Sequence, residues 1–538
     1  MLTPGTNDAP GSALQSAYSY DRLPYPSAPF PQTHPSRLAT LAALHGMRPA
    51  PPAKCRVLEL GCAEGGNLIP MAYQFPASSF VGIDLSAPAI ERGKKTIAEL
   101  GLSNIELRAL DIAELSSDTG RFDYIIAHGV YSWVPAQVRE KILEVFRSSL
   151  AAQGVAFVSY NCHPGSYLRD LTRSIMLFHV RDTADPEQRV HQAKLLLRML
   201  AETTDDKEIY GQVVRNQYER VAATNDVVLY HDDLEPSAEA FFLYQVTEQA
   251  ARHGLQYLSD ARARLLTGSL LELQAEPGAA TKMLQQIPVD EWVAREQYFD
   301  LINGRMFRET LLCHHEVQLE RPVEPSRIRD FHFLSDIVSS DDKLDPRQPG
   351  PAEFKTRAGQ KLRTDLGLAK AAFLHLNDIW PNSTGFDDLA AAAQLRLASQ
   401  DNSPTSLSDQ DIESLVEVLL RTFCAGTMEV EAFPSVVMAT DSDRPKASLL
   451  ARKQLEKGTL LTNLRHSNVL LEDRITRRLF LLLDGTRTVD ELVTDLQEAL
   501  ASEPSQNAGS ATERAPVISR ENVMSNLRLL ARLSLLVA

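Results

Sequence analysis

The sequence has few cysteines, no excess of basic residues and no long apolar run, and each absence excludes a class of protein. The five cysteines of the 538-residue chain are scattered without a CxxC pair, which predicts a reduced intracellular protein. A net charge of -15 argues against nucleic acid as the main partner, because phosphate binding depends on clustered Lys and Arg. No stretch reaches the roughly 18 apolar residues of a membrane span, and "MLTPGTNDAPGS" does not start like a signal peptide. We therefore expect a cytoplasmic protein.

Apolar runs typical of short strands alternate with helical patterns from about residue 55 to residue 160. The β-rich runs are "RVLEL", "SFVGIDL", "IELRALDI", "FDYIIAHG" and "GVAFVSYN". Helical segments such as "SAPAIERGKKTIAELG" lie between most of them. This alternation is typical of a parallel, doubly wound sheet that binds ligands at the carboxyl ends of its strands. It predicts an α/β fold of the Rossmann-like type.

Helical patterns replace the strand signals after about residue 180. Among them are "VHQAKLLLRMLAE", "SAEAFFLYQVTEQAARHG" and "REQYFDLINGRMFRETLLCHH", which predict an all-helical region. "SSDDKLDPRQPGPAEF" is typical of a linker, and a mixed region of helices and a few strands follows it. The predicted parts are an N-terminal arm (1–33), an α/β domain (34–180), a helical domain (181–325), a linker (326–352) and a C-terminal accessory domain (353–538).

The stretch "LELGCAEGGN", residues 58 to 67, predicts a glycine turn between the first strand and a helix. Gly61 lets the chain turn sharply, and Gly65 and Gly66 let the backbone approach a ligand at the helix N-terminus. Ala63 stands where a dinucleotide fingerprint has its second glycine, so it crowds the place for a pyrophosphate. The turn therefore favours S-adenosylmethionine, which carries no phosphate, over a nicotinamide or flavin cofactor.

An acidic residue lies at the end of each of the first three strands. Glu59 is close to the turn, where a carboxylate repels a pyrophosphate but accepts from a bound ammonium. Asp84 ends the second strand, the place for a carboxylate that accepts from both ribose hydroxyls. Asp111 follows the third strand, where it can accept from the adenine amino group. Three such residues joined to a glycine turn predict an S-adenosylmethionine site.

This constellation resembles the class I S-adenosylmethionine-dependent methyltransferases over roughly residues 50 to 160. A longer resemblance, spanning nearly the whole chain, is to bacterial methyltransferases that carry a methyltransferase regulatory domain, a group that includes the rickettsial protein lysine methyltransferases. Segments that carry it are "VLELGCAEGGNLIPMA", "FDYIIAHGVYSWVP", "YNCHPGSYLRD", "YHDDLE" and "FRETLLCHHEV". The resemblance implies a catalytic domain, a helical regulatory domain and a C-terminal accessory domain.

The same resemblance implies an enzyme that uses S-adenosylmethionine, with N-methylation of protein lysine as the first expectation. Two alternatives stay open, namely methylation of a small metabolite or natural product, and a non-catalytic regulator that senses S-adenosylmethionine. The predicted cofactor-binding residues follow the first four strands, and they are Glu59, Gly61, Gly65, Asp84, Leu85, Asp111, Ile112 and His128.

Candidates for catalysis and acceptor binding lie in the loop after the fourth strand and in the N-terminal arm. In "AHGVYSWVP", Tyr131 can accept from the target amine, Trp133 can stack on its stem, and His128 can take up a proton or brace the loop. The arm, rich in proline and aromatic residues, predicts a lid. Simple packing is the alternative role for these residues. The predicted lid and acceptor contacts are Tyr20, Tyr25, Phe30, His34, Tyr160 and Asn161.

Neither a metal nor nucleic acid is expected as a ligand. The Cys and His residues of "NCHPG" and "TLLCHHEV" are adjacent and cannot easily point at one tetrahedral centre. "LLDGTRTVDELVTDLQEAL" resembles part of a winged-helix unit, but its helix carries acidic residues and no basic residue for reading bases. The expected partner is a protein substrate or a small acceptor, and the oligomeric state stays open.

Overall fold

The computed structural model describes residues 23–116, 119–262, 279–288, 290–398, 407–434, 442–501 and 518–537. Its α-helices are α1 (Pro35–Leu44), α2 (Leu68–Gln74), α3 (Ala87–Leu100), α4 (Ala136–Ser149), α5 (Ser166–His179), α6 (Pro186–Thr203), α7 (Ile209–Ala223), α8 (Asp226–Asp233), α9 (Leu243–Arg252), α10 (Ala279–Leu284), α11 (Trp292–Asn303), α12 (Gly367–Ile379), α13 (Phe386–Leu397), α14 (Asp409–Cys424), α15 (Leu449–Leu455), α16 (Arg474–Leu482), α17 (Val489–Ala501) and α18 (Arg520–Arg532). Its strands are β1 (Arg56–Leu60), β2 (Ser79–Asp84), β3 (Ile105–Ala109), β4 (Phe122–Ala127), β5 (Leu150–Cys162), β6 (Ala240–Phe241), β7 (Leu255–Asp260), β8 (Phe307–His314), β9 (His332–Leu334), β10 (Val338–Ser339), β11 (Ala352–Lys355), β12 (Lys361–Thr364), β13 (Thr384–Gly385), β14 (Glu429–Glu431), β15 (Leu460–Thr462) and β16 (Asn468–Leu470).

The chain folds into two compact units, and the first is built on a large sheet. This unit comprises Met1–Ser27, His45–Leu68 and Ala77–Pro322. Its strand order is β3-β2-β1-β4-β5-β8-β7, with β6 beside β5. Strands β1 to β5 pair in parallel, whereas β8 runs antiparallel to β5 and β7. All five predicted strands are present, and the predicted doubly wound, Rossmann-like fold is confirmed.

The central strands are apolar along almost their whole length because both faces of the sheet are covered. In β4, "FDYIIA", all residues but Asp123 are buried. The core formed with β1, β5 and α4 contains large side chains such as Phe122, Phe146 and Tyr160. Polar side chains are therefore found at the strand ends. Because β1 to β5 are parallel, their carboxyl ends lie at one edge of the sheet, called here the carboxyl edge.

Three strands, β6, β7 and β8, lie in the region that was predicted to be all-helical. The sequence "FRETLLCH" was assigned to a helix, but it forms β8 between β5 and β7, where seven of its eight residues are buried. A short apolar run of this kind fits both the helical period of 3.6 residues and a buried strand. Its pairing with β5 decides that it forms a strand. Leu255–Asp260 forms β7 beside it. The helical patterns between residues 186 and 252 are confirmed as α6 to α9, so the region is mainly helical but contributes three strands to the sheet.

A buried cluster of charges connects β7 and β8 to α11. The Arg308 guanidinium on β8 is fully buried and contacts Asp300 at 2.7 Å, Glu296 at 3.0 Å and Asp260 at 3.5 Å. Arg305 adds a second contact to Asp260 at 2.6 Å. A buried guanidinium is tolerated only when carboxylates and carbonyls satisfy it. The cluster therefore depends on all of these residues together.

The second unit comprises Ala28–Leu44, Ile69–Pro76 and Val323–Ala538. It contains two small sheets, β10-β11-β12 and β13-β9-β14, and the hairpin β15-β16. Helices α15 to α18 enclose an apolar core with this hairpin. A capping box begins α17, since Thr488 and Glu491 exchange hydrogen bonds. The stretch predicted as a linker includes β9 and β10, and the five-part division of the chain stays a prediction.

Candidate active site

The turn after β1 contains three residues with positive φ. Gly61 has a φ of 76°, Ala63 of 48° and Gly65 of 79°. For Ala63 this left-handed conformation is unfavourable, and surrounding contacts must maintain it. The backbone N–H of Ala63 donates to Asp84 Oδ2 at 2.7 Å, and that of Gly61 donates to the Ile83 carbonyl at 2.8 Å. The end of β2 therefore holds the turn in its strained form.

Asp84 and Asp111 both organise backbone at the carboxyl edge. Asp84 Oδ1 accepts from the N–H of Ser86 at 2.9 Å, and Asp111 Oδ1 accepts from that of Ala113 at 2.9 Å. Asp84 pairs with Ala109 across β2 and β3, which places both aspartates at neighbouring strand ends. Next to them, the Leu85 side chain is exposed and that of Ile112 is buried. The structure thus brings four of the predicted cofactor residues to one edge.

Glu59 lies buried at the end of β1 with one oxygen unpaired. Asn67 Nδ2 donates to Glu59 Oε1 at 2.8 Å, whereas Oε2 is buried and has no hydrogen-bond partner in the described part of the chain. Burial, aided by the charge of Asp84, raises the pKa of Glu59 to about 7 against the opposing hydrogen bond of Asn67. An unpaired buried carboxylate oxygen is costly. A bound cationic group would satisfy it.

His128 follows β4 and is held by Ser159 on the neighbouring strand. Ser159 Oγ lies 3.0 Å from His128 Nδ1 and accepts from the N–H of Gly129 at 2.8 Å. The imidazole packs edge-on against Phe157 and Phe307. Burial, aided by the charge of Arg262, lowers the pKa of His128 to about 4. The ring is therefore neutral near pH 7.

Tyr131 and Tyr160 were predicted to contact the acceptor, and the structure places both in the core instead. Tyr131 is fully buried, its hydroxyl donates to Gln249 Oε1 at 2.6 Å, and its ring packs against Phe241. The Tyr160 hydroxyl pairs with that of Thr310 at 2.9 Å. Neither ring has a surface for a substrate to touch. These two expectations are therefore corrected.

Trp133 and Asn161 remain at the carboxyl edge. The Trp133 side chain is partly exposed. The backbone N–H of Trp133 donates to the Val130 carbonyl at 2.9 Å and closes a turn. Asn161, at the end of β5, accepts at Oδ1 from Arg169 at 3.4 Å. Contact of these two side chains with an acceptor stays a prediction.

The arm reaches the glycine turn through a residue that the sequence did not single out. Ser27 Oγ accepts from the N–H of Gly66 at 2.9 Å, and a Cβ at Gly66 would lie 2.1 Å from that oxygen. The Tyr25 hydroxyl donates to Asp232 Oδ2 at 3.4 Å, and His231 Nε2 lies 2.7 Å from the Leu23 carbonyl. The arm is thus attached both to the turn and to α8.

The other predicted lid residues are Tyr20, Phe30 and His34. Tyr20 lies outside the described residues. Phe30 and His34 belong to the second unit, where His34 Nε2 lies 3.2 Å from Gln74 Oε1 and its ring packs against His466. Burial lowers the pKa of His34 to about 4. His34 is therefore a neutral, buried packing residue of that unit.

Thiols and imidazoles do not gather into a metal-binding cluster in the ranges that the structure covers. No group of three or more His, Cys, Asp or Glu side chains suited to a metal occurs there. The residues Cys55, Cys62, Cys162, Cys313 and Cys424 are all buried and unpaired. Burial raises the pKa of Cys162 to about 12, so this thiol stays protonated near pH 7.

Three family models match three parts of the chain. Residues 52–225 match a methyltransferase domain, residues 225–314 a predicted methyltransferase regulatory domain, and residues 443–533 the C-terminal winged helix domain of PKMT. An uncharacterised protein of Rickettsia prowazekii, RP789, is 30% identical over 458 residues, which cover 84% of this chain and 80% of that protein. The chain belongs to this methyltransferase family.

A solved structure extends the comparison over the full length. The structure of PKMT2 from Rickettsia typhi in complex with AdoHcy matches with a TM-score of 0.81 and 27% identity, covering 96% of this chain and 100% of that one. A second structure of PKMT2 from Rickettsia typhi matches with a TM-score of 0.82. This methyltransferase is therefore an S-adenosylmethionine-dependent enzyme with a C-terminal winged-helix domain. In the part of the methyltransferase that is described, no helix has both the length and the apolar character to span a bilayer.

The residues of the glycine turn fit S-adenosylmethionine. The unpaired, buried Oε2 of Glu59 suits an ammonium, and the half-buried carboxylates of Asp84 and Asp111 suit hydroxyl and amino donors. A Cβ at Gly61 would meet Val130 at 2.5 Å, so a larger residue would displace the loop after β4. When bound, the cofactor supplies an activated methyl group, and the protein has to orient it and exclude water.

Proposed function

We propose that this enzyme transfers methyl groups to the side-chain amine of lysine in protein substrates. The observation that carries the proposal is the full-length similarity to PKMT2 together with the match of residues 443–533 to the PKMT winged-helix domain. The abbreviation denotes a protein lysine methyltransferase. Two accessory parts also provide more docking surface than a small acceptor needs. The cytoplasmic location stays a prediction.

In this proposal Glu59, Asp84 and Asp111 bind the cofactor at three places. Glu59 accepts from its ammonium, Asp84 from its ribose hydroxyls and Asp111 from its adenine amino group. Backbone of Gly61 and Gly65 lines the turn, and Leu85, Ile112 and His128 flank the bound molecule. The support is the gathering of these residues at one edge, with unfavourable φ at Ala63 and an orphaned oxygen at Glu59.

The acceptor amine must be neutral when it attacks, because a protonated nitrogen has no lone pair. Neutral His128 offers no positive charge that would repel a lysine ammonium on its approach. Trp133, partly exposed in the same loop, offers an aromatic face to the alkyl stem. We assign these two residues to acceptor positioning, with Asn161 at the end of β5.

The test is transfer of tritium from S-adenosyl-[methyl-³H]methionine to a panel of peptides that each contain one lysine. Matched peptides carry norleucine at that position, and Asp84→Ala is the variant that lacks donor binding. We expect label in lysine peptides only, and none with the variant. Label in small molecules of a cell extract but in no peptide would favour the metabolite alternative. Binding of S-adenosylhomocysteine without any transfer would favour the sensor.

A further inference from the structure

Two adjacent aspartates end α8, and their surroundings differ. Asp233 contacts Arg169 at 2.9 Å and Arg220 at 2.8 Å. Burial raises the pKa of Asp233, but these guanidinium groups outweigh it and the net pKa is lowered. Among the described residues, the Asp232 carboxylate receives one hydrogen bond, from Tyr25 at 3.4 Å. Negative charge is unfavourable at a helix C-terminus, and the Asp232 carboxylate, in contrast to that of Asp233, makes no ion pair among the described residues.

Asp232 faces a small cavity above the end of β5. Asn161, Arg169, Arg173 and Glu239 line the cavity with it. Arg169 donates to the Asp232 carbonyl at 2.8 Å and to Asn161 Oδ1 at 3.4 Å. This guanidinium therefore connects the C-terminal end of α8 directly to the carboxyl edge of the sheet.

The arm connects Asp232 to the glycine turn from the other side. Tyr25 reaches Asp232, and Ser27, two residues later, accepts from the N–H of Gly66. Two residues span at most about 7 Å, so the carboxylate and the turn are attached to opposite ends of one short segment. Asp232 is therefore connected to the donor turn through the arm and to the end of β5 through Arg169, and ligands of a doubly wound sheet bind at such strand ends.

The cations around the cavity are engaged by protein partners. Arg169 is paired with Asp233, and Arg173 donates to the Glu235 carbonyl. The Glu239 carboxylate is paired with Arg139 at 2.6 Å. Asp170 adds a further carboxylate to the cavity wall. His231, beside Tyr25, contacts the Leu23 carbonyl, and burial lowers its pKa. Three carboxylates, those of Asp170, Asp232 and Glu239, thus line the cavity beside the two guanidinium groups of Arg169 and Arg173.

We propose that Asp232 and the Tyr25 hydroxyl form the subsite that receives the acceptor amine, a lysine ammonium. This inference rests on the proposed function. The Asp232 carboxylate accepts a hydrogen bond from the ammonium and takes one proton. The freed lone pair attacks the methyl carbon, and the carbon–sulfur bond breaks with its electron pair on sulfur. The products are an N-methylammonium and S-adenosylhomocysteine, and Asp232 then releases its proton to solvent.

The electrostatics of Asp232 suit this step. Burial, aided by the charge of Asp233, raises the pKa of Asp232 to about 6 in spite of Arg169. A carboxylate with a raised pKa is a better proton acceptor than an ordinary aspartate. Transfer should therefore increase as the pH rises through about 6, because the ionised carboxylate is the active form.

The experiment compares Asp232→Asn with Asp226→Asn in the full chain. Asp226 is a matched control, since it lies on the same helix with a side chain that is 72% exposed and paired with Lys194. With single-lysine peptides and tritiated donor, we expect Asp232→Asn to lower kcat at least tenfold and to remove the ionisation near pH 6. Affinity for S-adenosylhomocysteine and melting temperature should stay unchanged. Activity of Asp232→Asn within twofold of wild type, or a parallel loss of donor binding, would overturn the proposal.

A binding measurement separates this proposal from the proposed function. Saturation-transfer NMR, with S-adenosylhomocysteine bound, would compare Nα-acetyl-lysine methylamide with its norleucine analogue. We expect the lysine probe to bind the wild-type enzyme and the norleucine probe not to bind. The lysine probe should not bind the Asp232→Asn variant but should still bind the Asp226→Asn variant. If wild type methylates no peptide but this dependence holds, the lysine function fails and the amine subsite stands. Equal binding of the two probes contradicts the subsite.

Discussion

At the scale of residues, the ionisation of Glu59 bears most directly on donor binding. Its carboxyl is buried, it has one unpaired oxygen, and its pKa is raised to about 7. Below that pH the group is neutral and cannot attract an ammonium. Because one proton must leave before a cation binds, donor affinity should fall by up to about tenfold per pH unit below pH 7.

Calorimetric titration with S-adenosylhomocysteine between pH 6 and pH 8 checks this expectation. The Glu59→Gln variant should bind more weakly and lose the pH dependence, since an amide does not ionise in this range. Glu64→Gln is the control, because the Glu64 side chain is 37% exposed and paired with Arg92. A wild-type affinity that is constant over this range would contradict the assignment of Glu59 to the ammonium.

Individual residues also mark the limit of the sequence argument. The positions of Asp84 and Asp111 at strand ends were predicted correctly, because Asp84 ends a recognisable strand pattern and Asp111 follows one. Tyr131 and Tyr160 were misplaced, because partners more than a hundred positions away, Gln249 and Thr310, decide their burial. Asp232 had no local signal that separates it from Asp233.

At the scale of elements, the arm and the glycine turn form one structure through Ser27. Without the Ser27 hydroxyl, the N–H of Gly66 loses its acceptor, at a cost of about 0.5–1.5 kcal/mol. We expect Ser27→Ala to weaken binding of S-adenosylhomocysteine roughly two- to tenfold. The control is Ser174→Ala, whose hydroxyl donates within its own helix to the Asp170 carbonyl at 2.8 Å. Equal affinities in calorimetry would mean that the arm has no part in donor binding.

The charge cluster on β8 should stabilise the whole first unit. Replacing Arg308 by Met leaves Asp260, Glu296 and Asp300 buried without their shared cation. Breaking such a buried ion pair costs about 3–5 kcal/mol. We expect Arg308→Met to lower the free energy of unfolding by that amount in urea titrations. Arg198→Met, which removes a half-exposed pair with Glu202, should change it by about 0–1 kcal/mol.

At the scale of the whole molecule, the two units are not consecutive segments. Helix α1 belongs to the second unit, where the N–H of Ala432 donates to Thr40 at 2.9 Å and the Arg37 guanidinium lies over the Phe423 ring. Its residues Leu38, Leu41 and Leu44 are fully buried. A chain that ends at Pro322 would therefore expose an apolar helix.

We expect this truncated chain to aggregate or to melt at a lower temperature than the full chain. Size-exclusion chromatography and thermal unfolding in the presence of S-adenosylhomocysteine measure the two effects. A truncated protein that stays monomeric and melts like the full chain would contradict the expectation. The sequence pattern predicts consecutive parts and carries no signal for this interleaving.

The sequence by itself determined the features that depend on neighbouring residues. These are the strands β1 to β5, the glycine turn and the acidic residues at the strand ends, since backbone preference and apolar period are local properties. The tertiary structure alone decided which side chains are buried and which distant segments meet. The conformation of β8 follows from pairing with β5, and the contact of Tyr25 with Asp232 joins residues 207 positions apart. Such contacts are set by the packing of the whole unit, for which one sequence carries no local signal.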